Sequence, residues 1–337
     1  MRNPNSDRPG PRIGIDLTGS DTPPEQLLDA VLLFLKEMSE PAQLVLFASG
    51  DLFAKSRLPE EVVLCPVTEV IQMDDDPLTA VRHKKNASLC VAMQKLKQFE
   101  LDAFVTAGNT GALMASAALT LPMLPGIEYP ALLALMPTKE QPVAVLDVGA
   151  GIHVKAEALF QFALMGMAYQ KARGRVQPTV GLLNIGAEKQ KGTPELRKAY
   201  QLLQSLNETA SLDRPVFVGN IEGRDVCHGG IDVLVTDGFT GNVFLKTAEG
   251  IAAFILEQLQ NLGPIASIPL MREMVEKLKL RLHYAEYPGA ILCGVDGVIV
   301  KCHGASSPKA LISSIKGAVR LVNHFFLEKI KHELKNV

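Results

Sequence analysis

Short, unbroken apolar runs, each followed by a polar turn rich in small residues and then a longer mixed segment, recur along this chain. Ile13–Ile15 leads through Asp16-Leu-Thr-Gly-Ser-Asp21 towards a helix opened by Pro23 and Pro24. Leu44–Phe47, Phe104–Thr106, Val143–Leu146, Val180–Leu183, Val216–Val218 and Val233–Val235 are further runs of this kind. Continuous rather than alternating apolar runs predict strands covered on both faces. Their alternation with helices predicts a three-layer α/β/α fold around a mainly parallel sheet. Asp76 has the character of an N-cap with Pro77 at the first helical position, so one helix is expected from there towards Phe99. No internal repeat or low-complexity linker interrupts the scheme. Residues 12–337 therefore read as a single large α/β domain, preceded by a frayed polar tail at residues 1–11.

One stretch departs from the alternation. A helix from about Asn242 to Leu259 is followed by the apolar Leu262–Leu270 and a second helix to about His283. The expected element is a protruding helical hairpin across about residues 242–284. Ile268, Met271, Val275, Leu278 and Leu282 fall on one helical stripe. Two readings are open: the stripe is core packing or a dimer seam, or Ile265, Ile268 and Leu270 dip into a membrane surface, aided by Arg272, Lys277, Lys279 and Arg281.

Composition narrows the function classes. Apolar residues at 47% with 21% charged residues describe a globular chain rather than a disordered one. A net charge of −2, aromatics at 5% and the absence of tryptophan argue against a nucleic-acid partner. Five scattered cysteines without a CxxC pair favour neither a disulfide framework nor zinc, and point to a reducing cytoplasm. No apolar run approaches the ~20 residues that span a bilayer, so any membrane contact is expected to be peripheral.

The turns carry the candidate chemistry. In open α/β sheets, ligands bind beyond the carboxyl ends of strands, where helix starts present N–H groups and glycine admits an anion close to the backbone. Small and polar residues fill seven such positions: DLTGSD (Asp16–Asp21), AGNTGA (Ala107–Ala112), DVGAG (Asp147–Gly151), NIGAEKQKG (Asn184–Gly192), GNIEGRD (Gly219–Asp225), DGFTGN (Asp237–Asn242) and KCHGASS (Lys301–Ser307). One glycine turn is weak evidence, but the set points to a shared polar crevice. GxxxxGK[ST], GxGxxG after the first strand, GxSxG and HExxH are all absent, which argues against a P-loop NTPase, a dinucleotide binder of the Rossmann type, a serine hydrolase and a zincin.

IGIDLTGSD, MDDDPLTAVRHKKNAS, TAGNTGALMAS, LDVGAG, GLLNIGAEKQKG, GNIEGRDV, TDGFTGNVFLKTAEG and PGAILCGVDGVIVKCHGASS occur in this order from about Ile13 to Val319. In these motifs the chain resembles the bacterial phosphate acyltransferase (PlsX) family. The resemblance implies a fold like those of isopropylmalate dehydrogenase and phosphotransacetylase. It also implies conversion of acyl-acyl-carrier protein and inorganic phosphate into acyl phosphate and free carrier protein, an early step of phospholipid synthesis. A homodimer in peripheral contact with the membrane is implied too, with the glycerol-3-phosphate acyltransferase as a further partner.

Phosphate attack on a thioester needs a held dianion, a stabilised oxyanion and a thiolate leaving group, and no cofactor, metal or covalent enzyme intermediate is expected. Asn109 and Thr110, with Gly108 and the N–H groups around Gly111, are the first candidates for the cradle; an ordinary helix cap is the alternative. Lys191 is either a cation against phosphate or a solvated lysine. Arg82, Lys84 and Lys85 form a basic cluster suited to phosphate, phosphopantetheine or the acidic carrier protein, or simply a solvated face. Thr240, Gly241, Asn242 and Lys246, after Asp237, make a second cradle candidate. Asp16, Asn184 and Asp237 are expected to bind substrate or to tie neighbouring turns. His303 either donates to the leaving sulfur or oxyanion, or is a satisfied structural histidine.

Overall fold

The computed structural model describes residues 10–38, 40–54, 58–59, 62–209, 216–261, 268–282, 289–302 and 308–335. It divides into two compact units, Met1–Pro130 with Tyr287–Asn336, and Ala131–Glu286 with Val337. The first unit begins with strands β1 (Arg12–Asp16), β2 (Gln43–Ala48), β3 (Val62–Pro66) and β4 (Ala103–Thr106). Between and after them lie helices α1 (Pro24–Glu37), α2 (Gly50–Ala54), α3 (Pro77–His83), α4 (Ser88–Lys97) and α5 (Thr110–Thr120). The second unit follows with β5 (Ala131–Met136), β6 (Val143–Leu146), α6 (Ala156–Ala172), β7 (Val180–Asn184), α7 (Pro194–Gln204), β8 (Phe217–Glu222), β9 (Val233–Val235), α8 (Gly238–Gln260) and α9 (Pro269–Leu282). The chain then returns to the first unit through β10 (Ala290–Cys293), β11 (Val298–Lys301), α10 (Pro308–Asn323) and α11 (Phe326–Lys335).

In the first unit the strand order is β3-β2-β1-β4-β11-β10, with every neighbouring pair parallel except β10 with β11. Its strands read as unbroken apolar runs because both faces are covered. Ile13, Ile15, Leu44, Leu46, Val105 and Val300 share one core with Val31 and Phe34 of α1 and Leu311 and Ile315 of α10. On the other face Gly14 makes room for packing. A Cβ there would lie 2.8 Å from Leu101 and 3.0 Å from Phe47, and the Phe47 and Phe104 rings meet edge-on at 5.7 Å. Helix α4 packs against β1 and β4, with Met93 and Leu96 buried.

The order in the second unit is β5-β6-β9-β7-β8, parallel apart from β5, which runs antiparallel to β6. Helix α6 lies on β6 and β9 and comes close at Gly166, where a Cβ would sit 2.4 Å from Val233 Cγ1. The fold is thus α/β with a mostly parallel sheet flanked by helices, as the alternation of elements predicts.

Several details differ from the sequence expectation. The single helix predicted from Asp76 to Phe99 is two helices. Asp76 does cap α3 through Thr79 N, but Lys84 leaves helical geometry and its Nζ turns to the Val70 carbonyl and to Asp75. Glu69 then accepts from Asn86 N and pairs with Ala87 in a parallel bridge, so local pairing outcompetes helix continuation. Strands β3, β5 and β10 are not among the expected elements, and β11 is implied only by the KCHGASS turn that follows it. Strand β8 runs on to Glu222, so Gly219–Glu222 of the GNIEGRD segment belong to the strand, and a register shift opposite Val180/Gly181 absorbs Val218.

The expected hairpin consists, in its described parts, of α8 and α9 packed on one another. Helix α8 begins at Gly238 rather than near Asn242, because Asp237 caps it. On the stripe, Val275 is buried and Ile268 is 50% exposed, and Leu270, off the stripe, is 65% exposed. Ile265 lies outside the described residues. No helix among those described is long and apolar enough to cross a membrane.

Candidate functional site

Because β1, β4 and β11 are parallel, the turns after them leave the first unit at one end. Asp16 is the last residue of β1 and is buried. Its carboxylate accepts from Thr18 N at 2.9 Å, from Thr18 Oγ1 at 2.8 Å and from Thr106 Oγ1 at 2.8 Å. Thr106 Oγ1 in turn accepts from Gly108 N at 3.0 Å, and Thr18 Oγ1 lies 3.0 Å from Ser88 Oγ. Burial pushes the Asp16 carboxyl up from its ordinary range against the pull of these donors. The Lys301 ammonium, also buried, donates to the Ala107 carbonyl at 3.2 Å and to the Cys302 carbonyl.

The start of α5 grows out of this network. Asn109 is its N-cap, with Oδ1 accepting from Ala112 N at 3.0 Å. Its Nδ2 donates to the carbonyls of Gln72, Met73 and Asp75 at 3.1–3.2 Å, so the side chain is wholly engaged in joining the 72–75 loop to the helix. The backbone N–H groups of Asn109, Thr110 and Gly111 have no acceptor among the described residues. Gly111 brings α3 close, since a Cβ there would meet Pro77 Cγ at 2.6 Å.

In the second unit β6, β9, β7 and β8 also send their turns to one end. Asp147, fully buried, accepts from the backbone N–H groups of Leu132, Gly149, Ala150 and Gly151 at 2.7–3.1 Å. Burial pushes its carboxyl up as well, opposed by those N–H groups. The start of α8 packs on this turn so tightly that a Cβ at Gly241 would fall 1.9 Å from the Asp147 carbonyl oxygen. Asp237 caps α8, its two oxygens accepting from Thr240 N and Thr240 Oγ1, both at 2.8 Å. Gly238 N donates to Gly151 O and Gly241 N to Asp237 O, both at 2.8 Å. Phe239 N is the donor left without an acceptor in that first turn among the described residues. Beside it in the sheet, Asn184 Nδ2 donates to Lys191 O, and Asn220 Nδ2 to Glu188 O, so two asparagines pin the Ile185–Lys191 turn.

The model of the family described as "Fatty acid synthesis protein" matches residues 11–329. A phosphate acyltransferase of Thermoanaerobacter pseudethanolicus is 37% identical over 332 residues, covering 97% of this chain and 98% of the relative. A phosphate acyltransferase of Fervidobacterium nodosum is 39% identical over 336 residues, covering 96% and 98%. The chain belongs to the phosphate acyltransferase family. Among solved structures, a phosphotransacetylase from Streptococcus pyogenes superposes with a TM-score of 0.58 at 15% identity, covering 94% of each chain, a likeness of fold.

Within this phosphate acyltransferase the expected site residues fall into two groups. Asp16, Gly108, Asn109, Thr110 and Gly111 come together in the first unit, where Arg82, Lys84 and Lys85 lie at the far end of α3. Arg82 and Lys85 are exposed, with Lys85 Nζ on the Val81 carbonyl, and Lys84 is paired with Asp75 at 2.5 Å. Asp237, Thr240, Gly241 and Asn242 come together in the second unit, while exposed Lys246 reaches Glu249 at 3.4 Å. Lys191 is exposed on the turn pinned by Asn184. His303 lies outside the described residues. Sequence reasoning missed Thr18, Ser88, Thr106 and Lys301. Thr106 ends an apolar run directly before AGNTGA, a usable signal, whereas nothing local to Lys301 marks a buried lysine.

Proposed function

We propose that the start of α5 holds the phosphate that attacks an acyl thioester. The reaction is transfer of the acyl group from acyl-acyl-carrier protein to inorganic phosphate, releasing acyl phosphate and carrier protein for phospholipid synthesis. One observation carries the assignment: three consecutive N–H groups, Asn109 to Gly111, lack an acceptor among the described residues and sit at the positive end of a helix. Such a set suits a dianion and stays fixed while charge moves to the thioester oxygen. Phosphate oxygen bonds to the carbonyl carbon, the C–S bond breaks, and the pantetheine sulfur leaves as a thiolate whose pKa near ~8.5 makes strong acid help unnecessary.

In this reading Asn109 orders the cradle, and Asp16 ties β1 to β4 beneath it. Arg82, exposed on α3, and Lys85, exposed just after it, suit the acidic carrier protein, and Lys191 is a further cation for phosphate. Thr240, Gly241, Asn242 and Lys246 form a second polar helix start, capped by Asp237, and Asn184 orders the neighbouring turn. His303 serves the leaving sulfur or the oxyanion. A cytoplasmic homodimer in peripheral contact with the membrane, near the glycerol-3-phosphate acyltransferase, completes the proposal. Ile251, Phe254, Ile268, Leu270 and Met274, each at least half exposed on α8 and α9 or just before α9, support apolar contact there, with Ile265 extending it.

Incubating the purified protein with acyl-acyl-carrier protein and graded phosphate tests the activity: release of free carrier protein is expected to depend on phosphate and to exceed release from acyl-CoA. Phosphate-independent release would refute the reaction. Leu270→Glu is expected to weaken binding to anionic liposomes while leaving turnover in detergent unchanged; undiminished liposome binding would remove the hairpin from that role.

A further inference from the structure

The buried lysine at the end of β11 has no part in the chemistry described so far, yet it reaches into the turn that leads to α5. Lys301 is 7% exposed, a costly place for an ammonium, and two of its contacts are backbone carbonyls, those of Ala107 and Cys302. The Ala107–Gly108 peptide is thereby held from both sides. Its carbonyl accepts from Lys301 at 3.2 Å, and its N–H donates to Thr106 Oγ1 at 3.0 Å, whose own proton goes to Asp16. The next three N–H groups along the chain, those of Asn109, Thr110 and Gly111, are the ones without an acceptor among the described residues. A peptide unit fixed at both ends fixes the direction of the donors that follow it.

We propose that Lys301 is a positioning residue for phosphate. It aims the cradle through the Ala107 carbonyl and places a fixed positive charge behind the bound dianion. The inference rests on the assignment of phosphate to the start of α5. Cys302, next to this ammonium, is buried and its thiol is pushed up by desolvation, so the cation does not serve to make a thiolate nucleophile there. Asp16 balances the charge: its carboxylate and the Lys301 ammonium both bear on the Cys302 thiol. The result is a buried acid and base of opposite sign beneath the turn, an arrangement that costs little net charge while leaving the donors above it oriented.

The test measures KM for phosphate and for acyl-acyl-carrier protein separately in Lys301→Met, which keeps the length and apolar stem and removes the charge. The expected result is a rise of about tenfold in phosphate KM with the acyl-carrier-protein KM within about twofold of wild type. Lys301→Arg is expected to recover most of the loss. If the Met variant fails to fold cooperatively, Lys301→Gln, which keeps a donor for the Ala107 carbonyl, carries the same comparison. An unchanged phosphate KM, or both KM values rising together, overturns the proposal and leaves Lys301 a purely structural residue. Thr110→Pro separates this outcome from failure of the cradle itself, because it deletes one of the three N–H donors without touching Lys301. A Thr110→Pro effect without a Lys301→Met effect refutes only the role of Lys301. No effect from Thr110→Pro refutes the cradle.

Discussion

Two helix starts at the carboxyl ends of parallel strands, one in each unit, use the same topology to opposite electrostatic effect. Helix α5 is capped by a neutral asparagine, leaves the N–H groups of that cap and of its first two residues without acceptors among the described residues, and has a buried ammonium behind its entry turn. Helix α8 is capped by a carboxylate; its Thr240 N and Gly241 N go to the cap residue, as Ala112 N and Leu113 N do in α5, but Gly238 N is also taken, by Gly151 O, leaving the N–H groups of Asp237 and Phe239 without acceptors among the described residues. A carboxylate at a helix start satisfies the dipole that would otherwise attract phosphate. Glycine-rich turns alike in sequence therefore differ in what they can bind: the first start suits a dianion, the second a less charged group such as a carbonyl. The strand-end aspartates beneath them differ too. Hydroxyls supply most of the donors to Asp16 and can rotate to donate or accept, whereas Asp147 serves four backbone N–H groups that cannot.

That last difference leads to the largest predicted effect. Asp147→Ala strands four N–H groups and is expected to destabilise the protein by about 3 kcal/mol or more, against about 1–2 kcal/mol for Asp16→Ala. Urea unfolding of the two variants measures the gap, and equal losses would break the contrast. Next come the caps. Asn109→Asp gives the α5 start the charge of the α8 start and also sets an acceptor against the Gln72, Met73 and Asp75 carbonyls, so phosphate KM is expected to rise about tenfold or more, with a loss of stability beside it. Asp237→Asn, the reverse exchange, should shift phosphate KM by no more than about threefold. A larger effect at Asp237 would move phosphate to the second unit.

The smallest effect is on pH dependence. Burial holds the folded Asp16 carboxyl above its ordinary value of 3.8, so between 3.8 and that raised pKa the folded protein binds a proton the unfolded chain has lost. Stability therefore falls as pH rises through this window, and Asp16→Asn should remove that part of the slope. Unfolding free energies compared across a pH series in the two proteins will show it. A slope unchanged by the substitution would mean that Asp16 is not held above its ordinary value.

Much of the layout was legible in the sequence because it is local. Unbroken apolar runs marked the central strands, Asp76–Pro77 marked a helix start, and the placing of small residues marked the strand ends where the polar turns gather. What escaped was decided by distant contacts. The break between α3 and α4 depends on Glu69 and Val70 reaching residues 84–87, and no helical periodicity encodes that. Half-exposed β3 and the antiparallel β5 and β10 lie outside the βαβ rhythm. At the site, Asp16 and Thr106 are 90 positions apart, and Lys301 lies 194 from the carbonyl it holds, so neither partnership has a sequence signature. Asn109 was legible as a helix cap or cradle residue. That its side chain is used up in structure, while the neighbouring backbone N–H groups have no acceptor among the described residues, was not.

The most direct test of the claim that the α5 start binds phosphate is the phosphate KM of Thr110→Pro. Thr110 is the first helical residue, where proline is tolerated, and Asn109 before it has φ −55° and ψ 119°, which proline accepts. The substitution thus removes one N–H while keeping the helix. The account predicts phosphate KM raised about tenfold, with acyl-acyl-carrier-protein KM and the unfolding midpoint close to wild type. A phosphate KM equal to wild type in a folded Thr110→Pro protein would contradict it.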